Sequence, residues 1–369
     1  VYERQLDTES ELRGSQGVLA GRGDSDPNAG NPAPQIDPEK AKAEERAAFR
    51  AWARGGQRAL NAEQAARVEK RNAAMPAEIR ALSALSDSAG AYTIADTMYP
   101  SLVEAQKSYV GLRQPGAATV LTTSNGAPLA FITDNDTSNK GEILAENTAA
   151  SSQDVAFGRV TLNAYIFSSK LVLVPIALLQ DSEFDLESYL FRKFGERIGR
   201  KQNDAFTTGS GANEPYGLLS QSTNGKTAAG TDSFTWLELM DLKHSVDPAY
   251  RANGPMWMWN DTTLKALKKL LDGQGRPLWQ SGVALREPDT FDGDRYVINQ
   301  SMASPATGTK PIAYGDLKHY HIRDVSGAIV LALRERYAEK MQVGFIAFSR
   351  HDGALVDAGT NPVKHLTMA

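Results

Sequence analysis

The sequence predicts an α+β fold in which two mixed regions of helix and strand follow a polar N-terminal segment. Between residues 129 and 166, apolar and polar residues alternate with a period of two, which indicates strands. Between residues 186 and 198, large apolar side chains recur every four positions, which indicates an amphipathic helix. From residue 235 onward, helix-start signals alternate with short apolar runs, as is typical of a mixed domain.

The composition narrows the classes of protein to which the chain can belong. Its 369 residues are 41% hydrophobic, which is enough for more than one core. A net charge of -4 argues against strong binding to nucleic acid phosphates, so any DNA contact should be weak. Without cysteine there is no disulfide framework and no thiolate site. The longest apolar run, 171–179, has nine residues, whereas a membrane span needs about 20.

Residues 1–85 form a polar N-terminal extension with thirteen basic and thirteen acidic side chains. We expect residues 1–37 to be poorly ordered in isolation, because Gly, Pro, Asn and Asp are frequent there. Helix-forming residues predict two helices, over 38–54 and 62–71. Their large apolar residues are Phe49, Trp52, Leu60 and Val68. These are too sparse for a core of their own, so we expect the helices to lie against something else.

Residues 124–168 are predicted to form a protruding hairpin loop. Its middle part, 133–157, is polar and contains few residues that could build a core. A two-stranded ribbon is at best marginally stable in water, because it has no second layer on which to bury a face. The hairpin therefore needs a neighbour.

A long helix is predicted from Asp185, which can cap its first turn, to about Phe206. Leu190, Phe194 and Ile198 lie on its apolar side. About 22 residues correspond to a rod of roughly 33 Å. The Gly-rich sequence that follows ends the helix, and Gly209 is the expected left-handed cap.

The last third of the chain contains further helix and strand signals. Thr235 and Glu238 have the spacing of a capping box. The run 256–259 is predicted to be a buried strand, and 322–334 and 341–350 are predicted to be two apolar strands around a polar turn. This pattern supports a second mixed region and a C-terminal pair of strands.

The case for enzyme chemistry is weak. His319 and His321 are spaced so that they share one strand face, but no third ligand with zinc spacing accompanies them. No nucleophile elbow, phosphate-binding loop or zinc-protease motif is present. We therefore predict no catalytic residue, no cofactor and no metal site. A metal-dependent hydrolase that uses the two histidines with nearby carboxylates remains the alternative from another class.

The order of several segments along the chain resembles that of the major capsid proteins of tailed bacteriophages, which have the Hong Kong 97 fold. The first three are LSALSDSAGAY at 82–92, LLQDSEFDLESYL at 178–190 and DAFTTGSGANEPYGLL at 204–219. The others are Trp259–Thr263, Leu271–Leu278, Tyr314–Asp324 and Phe348–Gly353. No single segment is specific, but their collinear succession is, and together they cover the chain from about Leu82 to its end.

The resemblance implies a division of the chain. Residues 1–85 would be an N-terminal extension, 86–123 an N-terminal arm, 124–168 an extended loop, 169–220 with 320–369 a peripheral domain on a long spine helix, and 221–319 an axial α/β domain. Either residues 1–85 or sequence upstream of Val1 would correspond to the cleavable scaffolding segment that relatives often carry. The extended loop would lie over the adjacent subunit and so obtain its second layer.

The resemblance also implies a function and a set of partners. The chain would be a structural capsid protein that assembles as pentamers and hexamers into an icosahedral shell around double-stranded DNA. Portal, scaffold, protease or cement proteins would be further partners, and assembly would take place in the bacterial cytoplasm. The alternative within the same fold is an encapsulin, a protein shell that encloses an enzyme cargo; the polar N-terminal extension and the collinear phage segments count against it.

Five charged residues are predicted to lie at the interface between subunits, and the three in the loop, at 140, 142 and 146, are predicted to form ion pairs there. The five are Lys140, Glu142, Glu146, Arg334 and Arg336. Some relatives join a loop lysine to an asparagine of a neighbour by an isopeptide bond, assisted by a glutamate. Lys140 lies in the corresponding loop, but 341–350 contains neither Asn nor Glu. We therefore expect a shell without covalent cross-links.

Overall fold

Two large β-sheets and a separate two-stranded hairpin make up the strand structure of the described residues. The computed structural model describes residues 38–74, 91–93, 106, 110–135, 140–144, 147, 149–152, 154, 157–181, 186–278, 290–357 and 359–369. The chain divides into two units, 1–41 and 42–369, and only the start of one helix is described in the first. Both sheets lie in the second unit.

Helices and strands are both distributed along the described part of the chain, as in an α+β fold. The helices are α1 (Pro38–Gly55), α2 (Ala62–Ala74), α3 (Ile176–Asp181), α4 (Leu186–Thr208), α5 (Leu218–Gln221), α6 (Trp236–Ser245), α7 (Pro248–Arg251) and α8 (Asp261–Lys268). The strands are β1 (Ala91–Thr93), β2 (Thr119–Thr123), β3 (Leu129–Asp134), β4 (Phe157–Leu162), β5 (Tyr165–Ser168), β6 (Val172–Pro175), β7 (Thr223–Thr227), β8 (Met256–Trp259), β9 (Arg295–Ile298), β10 (Ile312–Gly315), β11 (Tyr320–Leu333), β12 (Gln342–Leu355) and β13 (Val363–Thr367). In the parts of the chain that the structure describes, no helix has the length and hydropathy to cross a lipid bilayer.

The first sheet is built around the long antiparallel pair β11 and β12. Its order is β1-β11-β12-β5, with β2 parallel to β11 and β6 antiparallel to β12. The predicted strands over 322–334 and 341–350 are confirmed, although each observed strand is 14 residues long. A register shift between Val325 and Ile329 interrupts the β11–β12 ladder. This pair forms the platform on which the rest of the first sheet is assembled.

Helix α4 packs against the first sheet with its apolar side. Leu190, Phe194 and Ile198 are buried in one core cluster with residues of β11 and β12, as the four-residue spacing predicts. The helix ends close to the predicted residue, but Gly209 is not a left-handed cap, because the positive φ lies at Gly211. A Cβ at Gly209 would collide with the carbonyl oxygens of neighbouring backbone, so close approach explains this glycine. The predicted cap Asp185 lies outside the described residues.

Helices α1 and α2 lie against the same cluster. Phe49, Trp52 and Val68 are buried there, and no part of Trp52 is exposed. The ring of Phe49 lies 5.3 Å from that of Phe191 in α4, and the ring of Trp52 lies 6.3 Å from that of Phe345 in β12. The expectation that these helices pack against another part of the protein is therefore confirmed. That part belongs to the same chain.

The second sheet has the order β7-β13-β10-β8-β9 and carries a separate core. Trp257 and Trp259 are buried on β8, and both rings make edge contacts with the ring of Phe291. The predicted capping box is present: Thr235 accepts from the Glu238 backbone N–H, and the Glu238 carboxylate accepts from Thr235 N–H. Strand β13 joins this sheet, although the sequence assigns 320–369 to the region of the long helix. The division into peripheral and axial domains stays a prediction.

Candidate functional site

The hairpin of β3 and β4 projects with one face covered and one face bare. In its antiparallel register, Ile132 lies opposite Arg159 and Asp134 opposite Phe157, so these four residues share the outer face. Ile132 is 79% exposed and Phe157 is 73% exposed. On the inner face, the ring of Phe131 lies 5.2 Å from that of His321. The outer face therefore exposes two large apolar side chains beside two charged ones, and no described residue covers them.

Beyond the strands, a local bond network shapes the loop. Glu142 accepts hydrogen bonds from the backbone N–H of Ser151 at 2.6 Å and from its hydroxyl at 2.8 Å. These two bonds hold the pKa of Glu142 below its ordinary value, and the bond from the backbone N–H has the larger effect. The neighbouring Ile143 is fully exposed and Leu144 is exposed. The two sides of the loop are thus tied together while apolar side chains point to solvent.

The base of the hairpin is held by a buried arginine on β11. Arg323, only 1% exposed, donates from Nη1 to the carbonyl oxygens of Leu162 at 3.0 Å and Asn163 at 3.1 Å. It also donates from Nη2 to the carbonyl oxygen of Asn125 at 2.9 Å and from Nε to the Thr123 hydroxyl at 3.1 Å. One guanidinium therefore touches both the segment that enters the hairpin and the segment that leaves it.

Asp352 lies opposite Arg323 in the register of β11 and β12. Its carboxylate accepts from the backbone N–H of Asn163, and from that of Gly353 at 2.7 Å. Burial raises the pKa of Asp352 to about 6, although the two backbone donors and Arg323 act in the other direction. Burial also lowers the pKa of Arg323. The base of the hairpin thus contains two buried groups of opposite charge on neighbouring strands.

The opposite face of the same strands carries a second polar network. Asp324 pairs with Arg113 through two bonds of 2.7 and 2.8 Å and with Nδ1 of His351 at 2.7 Å. The other ring nitrogen of His351 lies 2.8 Å from the hydroxyl of Ser349. Burial alone would raise the pKa of Asp324, but the bonds from Arg113 and His351 hold it well below its ordinary value.

The connectivity of Ser349, His351 and Asp324 resembles that of a serine-hydrolase triad, but its environment does not. Each of the three side chains is at least nine-tenths buried, and Arg113 occupies the carboxylate that would orient the histidine. Burial lowers the pKa of His351. The bonds of Asp324 with His351 and Arg113 join β11, β12 and the turn at 111–113. We assign this network to the structure of the subunit.

The comparisons with known proteins agree with this architecture. A sequence model described as the phage capsid family matches residues 90–368. This chain belongs to the phage capsid family. None of the curated proteins matches it. The expected resemblance is thereby confirmed.

Solved structures place the capsid protein in the same fold. One, described as the capsid of a native GTA particle, is 26% identical, with a TM-score of 0.60 over 70% of this chain and 90% of that one. A protein of Mycobacterium phage Bobi is 16% identical, with a TM-score of 0.55 over 70% and 90% of the two chains. One of Mycobacterium phage Adephagia is 15% identical, with a TM-score of 0.53 over 73% and 90%. The α+β fold is of the Hong Kong 97 type, and this capsid protein is a structural component of the virion.

The predicted interface residues of the capsid protein occupy several different environments. Lys140 and Glu142 are exposed in the loop, whereas Glu146 lies outside the described residues. The guanidinium of Arg334 lies 5.4 Å from the ring of Trp52 and donates to the Trp52 carbonyl oxygen, so it is engaged within the subunit. Arg336 is exposed, with its guanidinium 5.6 Å from the ring of Tyr337. The role of these residues between subunits stays a prediction.

The two histidines of the metal hypothesis make separate contacts, and the nearest described carboxylate to the His319 ring is that of Asp316, with 3.7 Å between Nε2 and Oδ2. Nδ1 of His321 lies 3.0 Å from the carbonyl oxygen of His319, and the ring of His319 makes an edge contact with Tyr250. Among the described residues of the capsid protein, no group of three or more His, Asp or Glu could hold a metal ion. The pair therefore gives the hydrolase alternative no geometric support.

The residues at the base of the hairpin were missed by the sequence analysis. Arg323 and Asp324 are adjacent opposite charges inside an otherwise apolar strand. Because successive side chains of a strand point to opposite faces, such a pair places one charge on each side of the sheet. Buried charges need partners, so this pattern in the capsid protein was the signal that two polar networks exist.

Proposed function

We propose that this capsid protein assembles as pentamers and hexamers into an icosahedral shell around double-stranded DNA in the bacterial cytoplasm. The observation that carries the proposal is the exposed outer face of the hairpin, where Ile132 and Phe157 lie at diagonal positions on paired strands. Exposed apolar groups clustered on one face are typical of a surface that binds another protein. A second copy of the chain is the occupant that a closed shell supplies.

The edges of the hairpin support the same conclusion. Among the described strands, β3 and β4 pair only with each other. A two-stranded ribbon with free edges is marginally stable and available for contact with another chain. Asp134 and Arg159 lie on the outer face beside the apolar groups, so the surface also offers one charge of each sign. Contact with a neighbouring subunit would bury the apolar groups and leave the charges at the rim.

Assembly of the full chain tests the proposal directly. The protein would be expressed alone, purified, and followed by sedimentation velocity and negative-stain electron microscopy over a range of concentrations. We expect closed particles above a threshold concentration, and slower amide exchange in 129–162 in the particles than in the free subunit. A compact monomer that forms no particles at high concentration would refute the proposal.

The contents of particles from the native host separate a virion shell from an encapsulin. Purified particles would be treated with nuclease, opened, and analysed for nucleic acid and for other proteins. We expect nuclease-protected double-stranded DNA. Particles that contain a stoichiometric enzyme and no DNA would favour the encapsulin.

We propose that residues 1–85 are an assembly segment, a remnant of scaffold. They lie outside the family match, which begins at residue 90. In the full chain, α1 and α2 cover apolar residues of the first core, including Phe191 and Phe345. Intact-mass measurement of mature particles tests this: we expect masses that correspond to chains beginning within 75–90. Masses that retain residues 38–74 would assign the two helices permanently to the shell.

A further inference from the structure

The hairpin leaves the first sheet through two short connections that meet at a single side chain. Thr123 and Asn125 lie on the entering side, and Leu162 and Asn163 lie on the leaving side. Arg323, near the start of β11, donates to all four residues at distances of 2.9 to 3.1 Å.

The chemistry of these bonds depends on the shape of the guanidinium. Three of the four acceptors are backbone carbonyl oxygens, which are fixed in space by the adjoining strands. A planar group with donors in a rigid fork can satisfy acceptors on two sides at once, whereas a lysine ammonium presents three donors from one point. Asp352, on the neighbouring strand, binds Asn163 N–H and so completes the contact on the leaving side.

Because this contact lies at the base of the hairpin, a small rotation there moves the far ends of β3 and β4 by a larger distance. Six residues of strand extend about 20 Å from the base, at about 3.3 Å per residue. A rotation of about 10° at the base would therefore move the ends of β3 and β4 by about 3.5 Å, given that strand length. Such a displacement exceeds the gap of about 0.5–1 Å between the surfaces of apolar side chains in contact, so the direction of the hairpin decides whether its outer face meets a neighbour.

We propose that Arg323 is a positioning residue for shell assembly: it fixes the direction in which the hairpin leaves the sheet. This inference rests on the proposed function and deepens it, because it names the group that presents the outer face to the next subunit. Asp352 acts with it by holding the backbone of Asn163. The hairpin contacts the neighbour, whereas Arg323 acts only through the hairpin.

The test compares Arg323→Lys with Arg295→Lys in the full-length subunit. Arg295 is an exposed arginine on β9, outside the predicted interface residues, and serves as a matched control. Three readouts are needed: thermal unfolding, hydrogen exchange in 124–168 against 312–315, and particle yield. For Arg323→Lys, we expect at least tenfold faster exchange in 124–168, unchanged exchange in 312–315, and at least a fivefold loss of regular particles. Wild-type exchange and yield in this variant would overturn the inference.

A milder variant serves if Arg323→Lys does not fold. Thr123→Val removes one of the four acceptors and keeps the arginine. We expect faster exchange in 124–168 and particles of irregular size, with an unchanged midpoint of thermal unfolding; no change in exchange would overturn the inference. Failure of the wild-type chain itself to form particles would refute the proposed function, and the exchange measurements would still decide whether Arg323 holds the loop.

Discussion

The helix pair α1–α2 and the hairpin β3–β4 look alike in the sequence and differ in the structure. Both contain too few large apolar residues to build a core, and both were therefore expected to need a partner. The helices find theirs within the chain, where Phe49 and Trp52 are buried. The hairpin keeps one face bare, with Ile132 and Phe157 exposed.

The difference follows from the geometry of the two elements. In α1, Phe49, Trp52 and Ala53 are spaced to form one stripe, so a single surface of the same chain can cover them. A strand places side chains on two faces, and the described part of the chain covers only the inner face of the hairpin, through contacts such as Phe131 with His321. A sparse apolar pattern thus shows that an element is incomplete, and the number of faces it presents indicates whether its own chain suffices.

We expect the largest effect on subunit stability in α1, whose apolar residues are buried within the chain. We expect Trp52→Ala to lower the free energy of unfolding by about 3–5 kcal/mol, because a fully buried indole leaves a cavity beside Phe345. Urea unfolding of the full-length, unassembled subunit measures it. Leu237→Ala is the control: that side chain is 73% exposed, and we expect a change of less than about 0.5 kcal/mol. Equal effects of the two substitutions would show that the helices are not part of the folded unit.

The second prediction concerns how the free energy of unfolding depends on pH through Asp352 at the base of the hairpin. The pKa of Asp352 is raised to about 6, above its unfolded value, so the folded subunit binds this proton more tightly than the unfolded chain. Its contribution therefore makes the subunit more stable as pH falls from 7 to 5, by about 1 kcal/mol at 1.4 kcal/mol per pKa unit.

Comparison with Asp352→Asn isolates that contribution. The free energy of unfolding would be measured at pH 7 and pH 5 for both proteins, and the wild type should gain more stability than the variant. The subtraction removes the other titrations, including that of His365, whose pKa burial lowers to about 4 and which acts in the opposite direction. An equal change in both proteins would contradict the assignment to Asp352.

The helices and strands could be predicted from the sequence more readily than the polar residues at the base of the hairpin. The four-residue spacing of Leu190, Phe194 and Ile198 predicted the buried side of α4, because a local period reports which face is covered. The partners of Arg323 lie about 160 and 200 residues away in the chain, and no local period carries such contacts. For the same reason, Arg334 could be recognised as a charge but not as the cover of Trp52.

The third prediction concerns the hairpin β3–β4. Substitutions on its outer face should change the stability of the subunit little and the assembly of the shell strongly. We expect the double substitution Ile132→Ser with Phe157→Ser to change the free energy of unfolding by less than about 0.5 kcal/mol, because both side chains are already exposed. Particle yield, measured by sedimentation at fixed protein concentration, should fall at least tenfold. The control is Thr161→Ser on the same face. Normal yield from the double variant would show that the hairpin face is not buried in the shell.

The smallest effect is expected for the charges of the loop. Lys140 is exposed, and an ion pair at an exposed site contributes less than about 1 kcal/mol. We therefore expect Lys140→Met to raise the threshold concentration for assembly less than about fivefold at low salt, and not at all at 0.5 M salt, where the screening length falls to about 4 Å. Lys170→Met, an exposed lysine outside the loop, is the control. Boiled particles should run as a single band in detergent gels, whether or not residue 140 is lysine, because we expect no covalent cross-link. A ladder of multimers that depends on Lys140 would contradict this expectation. Lys140 would then contribute more to the strength of the shell than the apolar outer face of the hairpin.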